Sequence, residues 1–208
     1  MSLFAHGARR LSSTWAHRLG VACYCLLGLG LLGLSYSGFV FADSYVYQAL
    51  QMKKLEQAIL FSEPHIPLDG EMIGEILVPR LRLKAIVVQG DSAASLRRAV
   101  GHISRSALPG EWGNVTLAGH RDTFFRPLRN IRLGDEIQFT TAEHSLQYVV
   151  ESIEIVAPND IDVLKPSTGR DLTFVTCFPF YFVGPAPKRF IVRAREVDGM
   201  LREQMAKK

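Results

Sequence analysis

Residues 19–42 contain no charged side chain and are dominated by Leu, Gly, Val and Phe. These 24 positions exceed the roughly 20 residues that a helix needs to cross a hydrocarbon core, so the rest of the chain is arranged about one membrane span. Arg9, Arg10 and Arg18 precede the span with no acidic residue before it, and Asp43 follows at once. The basic flank stays cytoplasmic, which places the C-terminal bulk outside the membrane. Tyr45 and Tyr47 then sit near the outer interface, where amphipathic rings are favoured. Val40-Phe41-Ala42 offers an ending that would also suit a cleaved signal peptide, the competing reading. A signal peptide's apolar region is only about 7–15 residues long, so the longer run here reads as an uncleaved anchor.

The expected division is a cytoplasmic segment at 1–18, the anchor at 19–42, a partly helical stalk or linker at 43–68, a folded domain at 69–199 and a short tail at 200–208. Residues 43–61 have helix-forming composition without Gly or Pro, enough for a stalk of about 28 Å. Equally, Leu50, Ile59 and Phe61 would let the segment pack on the domain. Pro64 and Pro67 then interrupt the helix. Three of the 24 Lys and Arg residues lie before residue 43, which leaves 21 against 20 Asp and Glu beyond it. The outer part is nearly neutral and has no basic stripe with interleaved aromatics, which argues against nucleic acid as a partner.

Of the three cysteines, Cys23 and Cys25 fall inside the apolar span. On a helix, residues two apart point in different directions, so these thiols read as lipid-facing or packed, with acylation or dimer cross-linking as the alternative. Cys177 is left alone in the outer domain. An extracytoplasmic domain stapled by disulfides would use cysteines in pairs, so Cys177 is either an inert buried residue or a nucleophile.

Downstream of the prolines the chain alternates strand-like runs with turn signals. Residues 73–78, 84–88, 114–119, 136–140, 147–156, 172–176 and 190–197 are rich in β-branched and apolar side chains at intervals expected of an antiparallel β protein. Residues 92–100 read as one helix with Asp91 as its cap. Gly134-Asp135 and Gly169-Arg170-Asp171 mark turns. Seven or more strands with a single helix imply a closed barrel or a sandwich.

Three motifs make the reading specific. Gly119-His120-Arg121-Asp122-Thr123-Phe124-Phe125, then Leu172-Thr173-Phe174-Val175-Thr176-Cys177, then Lys188-Arg189-Phe190-Ile191-Val192-Arg193 resemble the three signatures of the sortase family. Gly74-Glu75-Ile76 before Val78-Pro79, and Gly101-His102 before Leu108-Pro109-Gly110, resemble the same family, particularly its class D members. The resemblance covers about residues 72–197 in the family's order. It implies a mostly β fold, a closed antiparallel or mixed β-barrel of about eight strands with one or two short helices behind an N-terminal transmembrane helix. It also implies a cysteine transpeptidase, with Cys177 as nucleophile at the end of the seventh strand, His120 after the fourth and Arg189 opening the eighth.

The chemistry asks for the same three residue types. Peptide-bond cleavage by acyl transfer needs a nucleophile, a proton donor for the leaving amine and stabilisation of the developing oxyanion, and Cys177, His120 and Arg189 supply these in that order. Taken singly, His120 would pass for a surface histidine and Arg189 for a solvated strand-edge cation; the motifs decide for function. Asp122 could orient His120, or pair with Arg121 or cap the turn through Thr123. Thr176 could contact substrate backbone or face the barrel interior. His102, after the helix, reads as structural or as lining the cleft. His65 and His144 fall in a linker and a turn, and neither is a candidate base. Asp160 and Asp162 lie in the connection at 159–170, whose length suits a wall of the substrate groove. Two acids in a short loop lack the ligands a calcium site needs, so no metal and no cofactor are expected.

The resemblance therefore implies a substrate protein, secreted and carrying a C-terminal sorting signal of the Leu-Pro-x-Thr-Gly kind, and an amine acceptor on a cell-wall precursor or another protein. The expected location is the cell membrane, single-pass, with the domain extracytoplasmic and the lipid bilayer as a standing partner. Two other readings stay open: a processing peptidase that uses water as acceptor, and a catalytically silent envelope domain that binds peptide or acts as a scaffold.

Overall fold

A computed structural model describes residues 13–61, 66–160, 162–182 and 184–197. Arg9 and Arg10, the break at Pro64 and the tail with Lys207 and Lys208 lie outside the described residues. Helix α1 (Ser13–Phe61) is continuous, and within it His17–Gln57 is long and apolar enough to cross a membrane. The chain divides between Asp43 and Ser44 into two compact units, so the last part of α1 belongs with the domain.

The domain is a closed barrel of β1 (Met72–Val78), β2 (Leu83–Gln89), β3 (Val100–His102), β4 (Gly113–Ala118), β5 (Glu136–Thr140), β6 (Ser145–Val156), β7 (Arg170–Phe178) and β8 (Lys188–Glu196). Its spatial order is β1-β2-β3-β4-β7-β8-β6-β5, with β5 returning to β1. Pairing is antiparallel except for β2 with β3 and β4 with β7. The sequence explains the closure. Every long strand places an apolar side chain inward at each second residue: Ile76 and Val78, Leu83, Ala85 and Val87, Val115 and Leu117, Ile137 and Phe139, Tyr148 and Val150, Leu172 and Phe174, and Phe190, Val192 and Ala194 all join one core. A strand's side chains alternate faces with period two, so these sets line one interior, and closure leaves no long exposed edge.

β2 departs from strict alternation, because Ile86 and Val88 on its outer face are also buried. The domain's own part of α1 explains this: Tyr47 and Met52 pack against Ile86, Val88 and Ala99. The Gln48 side chain accepts from the Ile86 amide at 2.8 Å and donates to the Arg98 carbonyl at 2.6 Å. The segment thus packs on the domain, but through Tyr47 and Met52, while Leu50 is exposed and Leu55 is buried. The side chains of Ile59 and Phe61 lie outside the described ones.

Between β2 and β4 the expected helix at 92–100 is shorter. Helix α2 spans Ala93–Arg98, and its cap is Ser92, whose hydroxyl accepts from the Ser95 amide at 3.2 Å, in place of Asp91. The backbone extends at Ala99, and Val100–His102 becomes β3, which runs parallel to β2 and antiparallel to β4. Elsewhere, Arg80 in the 3₁₀ turn after β1 pairs with Asp135 ahead of β5. The hydrogen bond from Arg80 holds the Asp135 carboxyl below the usual carboxylate range, against the opposing effect of burial.

Candidate active site

The barrel's topology brings three strand ends to one rim. β4 and β7 run parallel with Ala118 beside Val175, so both leave the barrel in the same direction. β8 runs antiparallel to β7, with Cys177 opposite Arg189 and Phe178 opposite Lys188; it therefore starts where β7 ends. Directly opposed residues in an antiparallel pair have Cα atoms about 4.5–5.5 Å apart and side chains on the same face. Leu172, Phe174, Phe190 and Val192 take the interior, so Cys177 and Arg189 share the outer face at the rim. Cys177 is a free thiol and half-buried.

His120 reaches this place through two bonds between the ends of β4 and β7. The Gly119 amide donates to the Val175 carbonyl at 3.2 Å, and the Thr176 hydroxyl donates to the Gly119 carbonyl at 2.6 Å. After His120 the chain turns sharply, and the His120 carbonyl accepts from the amides of Thr123 and Phe125. The turn drives Phe125, fully buried, beneath Gly119 and against Phe174, with ring centroids 5.1 Å apart. A Cβ on Gly119 would lie 2.7 Å from the Phe125 ring. Glycine at this position is thus required by close approach, and the exposed His120 ring is carried on a backbone pinned at both sides.

Residues 76–197 match the family model described as Sortase domain. Over 132 residues the chain is 32% identical to Sortase D of Bacillus subtilis, covering 63% of this chain and 67% of that protein.

The chain belongs to the sortase family.

Solved structures agree. A Sortase D5 transpeptidase of Clostridium perfringens superposes with a TM-score of 0.66 at 26% identity, covering 76% of this chain and 99% of that one. A sortase E of Streptomyces avermitilis superposes with a TM-score of 0.55 at 28% identity, covering 63% and 91%. This sortase is accordingly a cysteine transpeptidase with the family's mixed barrel, similar to class D members.

Within that frame, the remaining candidates fall at different distances from the rim. Arg189, half-buried, donates from one terminal nitrogen to the Ala186 and Lys188 carbonyls at 3.3 and 3.1 Å. Thr176 is buried with its hydroxyl committed to Gly119. Asp122 faces Arg121, its carboxylate 3.5 Å from the guanidinium, and is largely exposed. His102 is fully buried at the end of β3. Its Nε2 donates to the Ala107 carbonyl and its Nδ1 lies 2.8 Å from the Gln89 side-chain amide, so it braces the loop after β3. Burial lowers its pKa, opposed by the bond to Ala107 and by nearby Glu111.

The connection at 159–170 meets the rim only at its start. Val156, the last residue of β6, pairs with Arg189, whereas Arg170 opens β7 at the far end of the barrel. The chain between them travels the barrel's length, and the Lys165 carbonyl accepts from Asn114 at the far end of β4. Asp162 pairs with Lys165, and the Asp160 carboxylate accepts from the Asp162 amide, so both acids are engaged locally.

Two contributors escaped sequence reasoning. Phe178, Phe180 and Phe190 cluster with centroids 5.1 to 6.1 Å apart, which anchors the chain as it leaves Cys177. Arg121, beside His120, is buried and donates to backbone carbonyls of the loop after β7. Backbone acceptors carry no mark in the sequence; only the position of Arg121 next to a motif histidine could have drawn notice.

Proposed function

We propose that this sortase cleaves a C-terminal sorting signal of the Leu-Pro-x-Thr-Gly kind on a secreted protein, through a thioester on Cys177, and passes the acyl group to an amine. The observation that supports this reading most is the register: Cys177 lies directly opposite Arg189, and the end of β4 that leads into His120 is bonded to the residue before Cys177. The Cys177 sulfur attacks the substrate carbonyl carbon as the thiol's proton passes to His120. The C–N bond breaks, and the proton needed by the departing amine comes from His120. Arg189 donates hydrogen bonds to the substrate's oxygen as negative charge develops there, a role to which a planar, permanently charged guanidinium is suited. An incoming amine then attacks the thioester carbonyl and gives its proton to His120, which passes it to the departing Cys177 sulfur, so the thiol is restored and His120 ends as it began.

The anchor supports a role at the membrane surface. Arg18 and the basic residues before it keep the N-terminus cytoplasmic by the positive-inside rule, which leaves the domain on the outer side. Substrate and acceptor held at that surface meet the enzyme at raised effective concentration.

Incubation of the full chain with a sorting-signal peptide, with and without a glycine oligomer, tests the reading. Transfer product should grow with amine at the expense of the hydrolysed peptide, and Cys177→Ala should produce neither. Hydrolysis that ignores the amine would make water the acceptor, and full biological activity of Cys177→Ala would make the domain a binding module.

A further inference from the structure

We propose that Arg121 is a positioning residue that holds Arg189 in place through the loop joining β7 to β8; this rests on the catalytic reading of Arg189 above. Arg121 is 6% exposed, and its side chain reaches the loop from the His120 turn. One terminal nitrogen donates to the Pro179 carbonyl at 3.0 Å; the other donates to Phe182 at 2.5 Å and Gly184 at 3.3 Å. Its Nε lies 3.5 Å from the Asp122 carboxylate, and the guanidinium sits 5.9 Å from the centre of the Phe182 ring. Three carbonyl dipoles pointing at one place repel each other unless a cation with several fixed donors stands between them, and a guanidinium is the side chain with that fork.

The loop passes the constraint on. Two residues beyond Gly184, the Ala186 carbonyl accepts from the guanidinium of Arg189 at 3.3 Å. Arg121 and Arg189 thus grip the same loop, Arg121 at the Pro179, Phe182 and Gly184 carbonyls and Arg189 at Ala186, while the backbone of Arg121 continues directly from His120. A second strut ties the same two regions: Arg129 donates to the Tyr181 hydroxyl at 2.6 Å. Tyr181, Phe182 and Gly184 are exposed, so water is at hand for the loop's carbonyls when the guanidinium is removed, and the barrel is expected to survive.

The test uses the full chain in detergent, with Arg121→Met, Arg121→Lys, Arg189→Ala and the Arg121→Met/Arg189→Ala pair. Interactions made only in the transition state act on kcat rather than KM, so Arg121→Met should lower kcat for sorting-peptide cleavage at least about tenfold with KM within about twofold. In the Arg189→Ala background the same change should cost less than about twofold, because residues acting as a unit are not additive. Amide exchange over residues 180–187 should quicken while that of 172–176 stays as in the wild type. Equal losses of kcat in both backgrounds, or unchanged loop exchange, would overturn the proposal. If Arg121→Met does not fold, Arg121→Lys decides: three donors on one nitrogen cannot serve three spread carbonyls, so wild-type exchange and kcat in that variant would overturn it too. A wild-type protein that cleaves no sorting peptide would sink the functional reading instead, and the exchange measurement would still judge the clamp.

Discussion

At Arg189, truncation and conservative replacement separate charge from geometry. Removing one donor to a developing oxyanion typically costs about 10²–10³ in kcat; Arg189→Ala should fall in that range, and Arg189→Lys should recover only part, since a compact ammonium does not reproduce a planar fork. Single-turnover cleavage rates, normalised to titrated Cys177, measure this. His102 gives a prediction of a different kind. Its folded-state pKa lies below the ordinary value of 6.5, chiefly through burial. The unfolded chain therefore binds the proton first as pH falls, so the stability it contributes is complete above about pH 6.5 and drains away below it. A thermal-unfolding series between about pH 7 and 5 should show this slope, and His102→Gln should flatten it. The site residues were legible in the sequence to unequal degrees. Among the candidates, Cys177 stood out as the one thiol outside the apolar span, while His120 and Arg189 were marked only by the motifs that carry the family resemblance. Arg121 did not, because its partners are the carbonyls of Pro179, Phe182 and Gly184, and such acceptors exist at every residue.

Among elements, the long strands were readable because each shows two or three inward apolar residues at period two, as in Leu83, Ala85 and Val87. β3 was not: three residues, Val100–His102, are too few to show a period, and Val100 looks like a continuation of the helix before it. Its assignment comes from pairing with both β2 and β4, information that is non-local. Whether the segment after the span docks on the domain or stands free was left open by the sequence for a related reason. Helical periodicity does not distinguish an exposed stalk from one with a single narrow contact, and here that contact is Tyr47 and Met52 with the polar bridge of Gln48. Gln48→Ala leaves the Ile86 amide and the Arg98 carbonyl without their side-chain partner. Unpaired buried groups cost about 1–3 kcal/mol each, and groups that water reaches cost less; chemical denaturation should register a loss of about 1–2 kcal/mol for this variant. Peptide-cleaving activity per folded molecule should not change, because Gln48 contacts β2 and the end of α2 and none of the strand ends at the rim.

Taken whole, the molecule joins a helix long and apolar enough to cross a membrane to a barrel whose proposed chemistry lies at one rim. β4, β7 and β8 are neighbours in space although β5 and β6 separate β4 from β7 in the chain, and the parallel pairing of β4 with β7 is what puts the His120 and Cys177 ends together. An antiparallel pairing of the same two strands would leave them at opposite ends of the barrel. That choice could be inferred from the family resemblance, not from local pattern, since a parallel ladder depends on the long connection through β5 and β6. The central claim is that substrate acyl groups pass through the sulfur of Cys177. Intact-mass and peptide mapping of the full chain, quenched in acid during turnover of a sorting-signal peptide without added amine, tests it most directly. An acyl adduct is expected on the peptide containing Cys177, cleared by a glycine oligomer with matching formation of transfer product, and absent from Cys177→Ala. Cleavage that persists in Cys177→Ala, or an adduct confined to another residue, would contradict it.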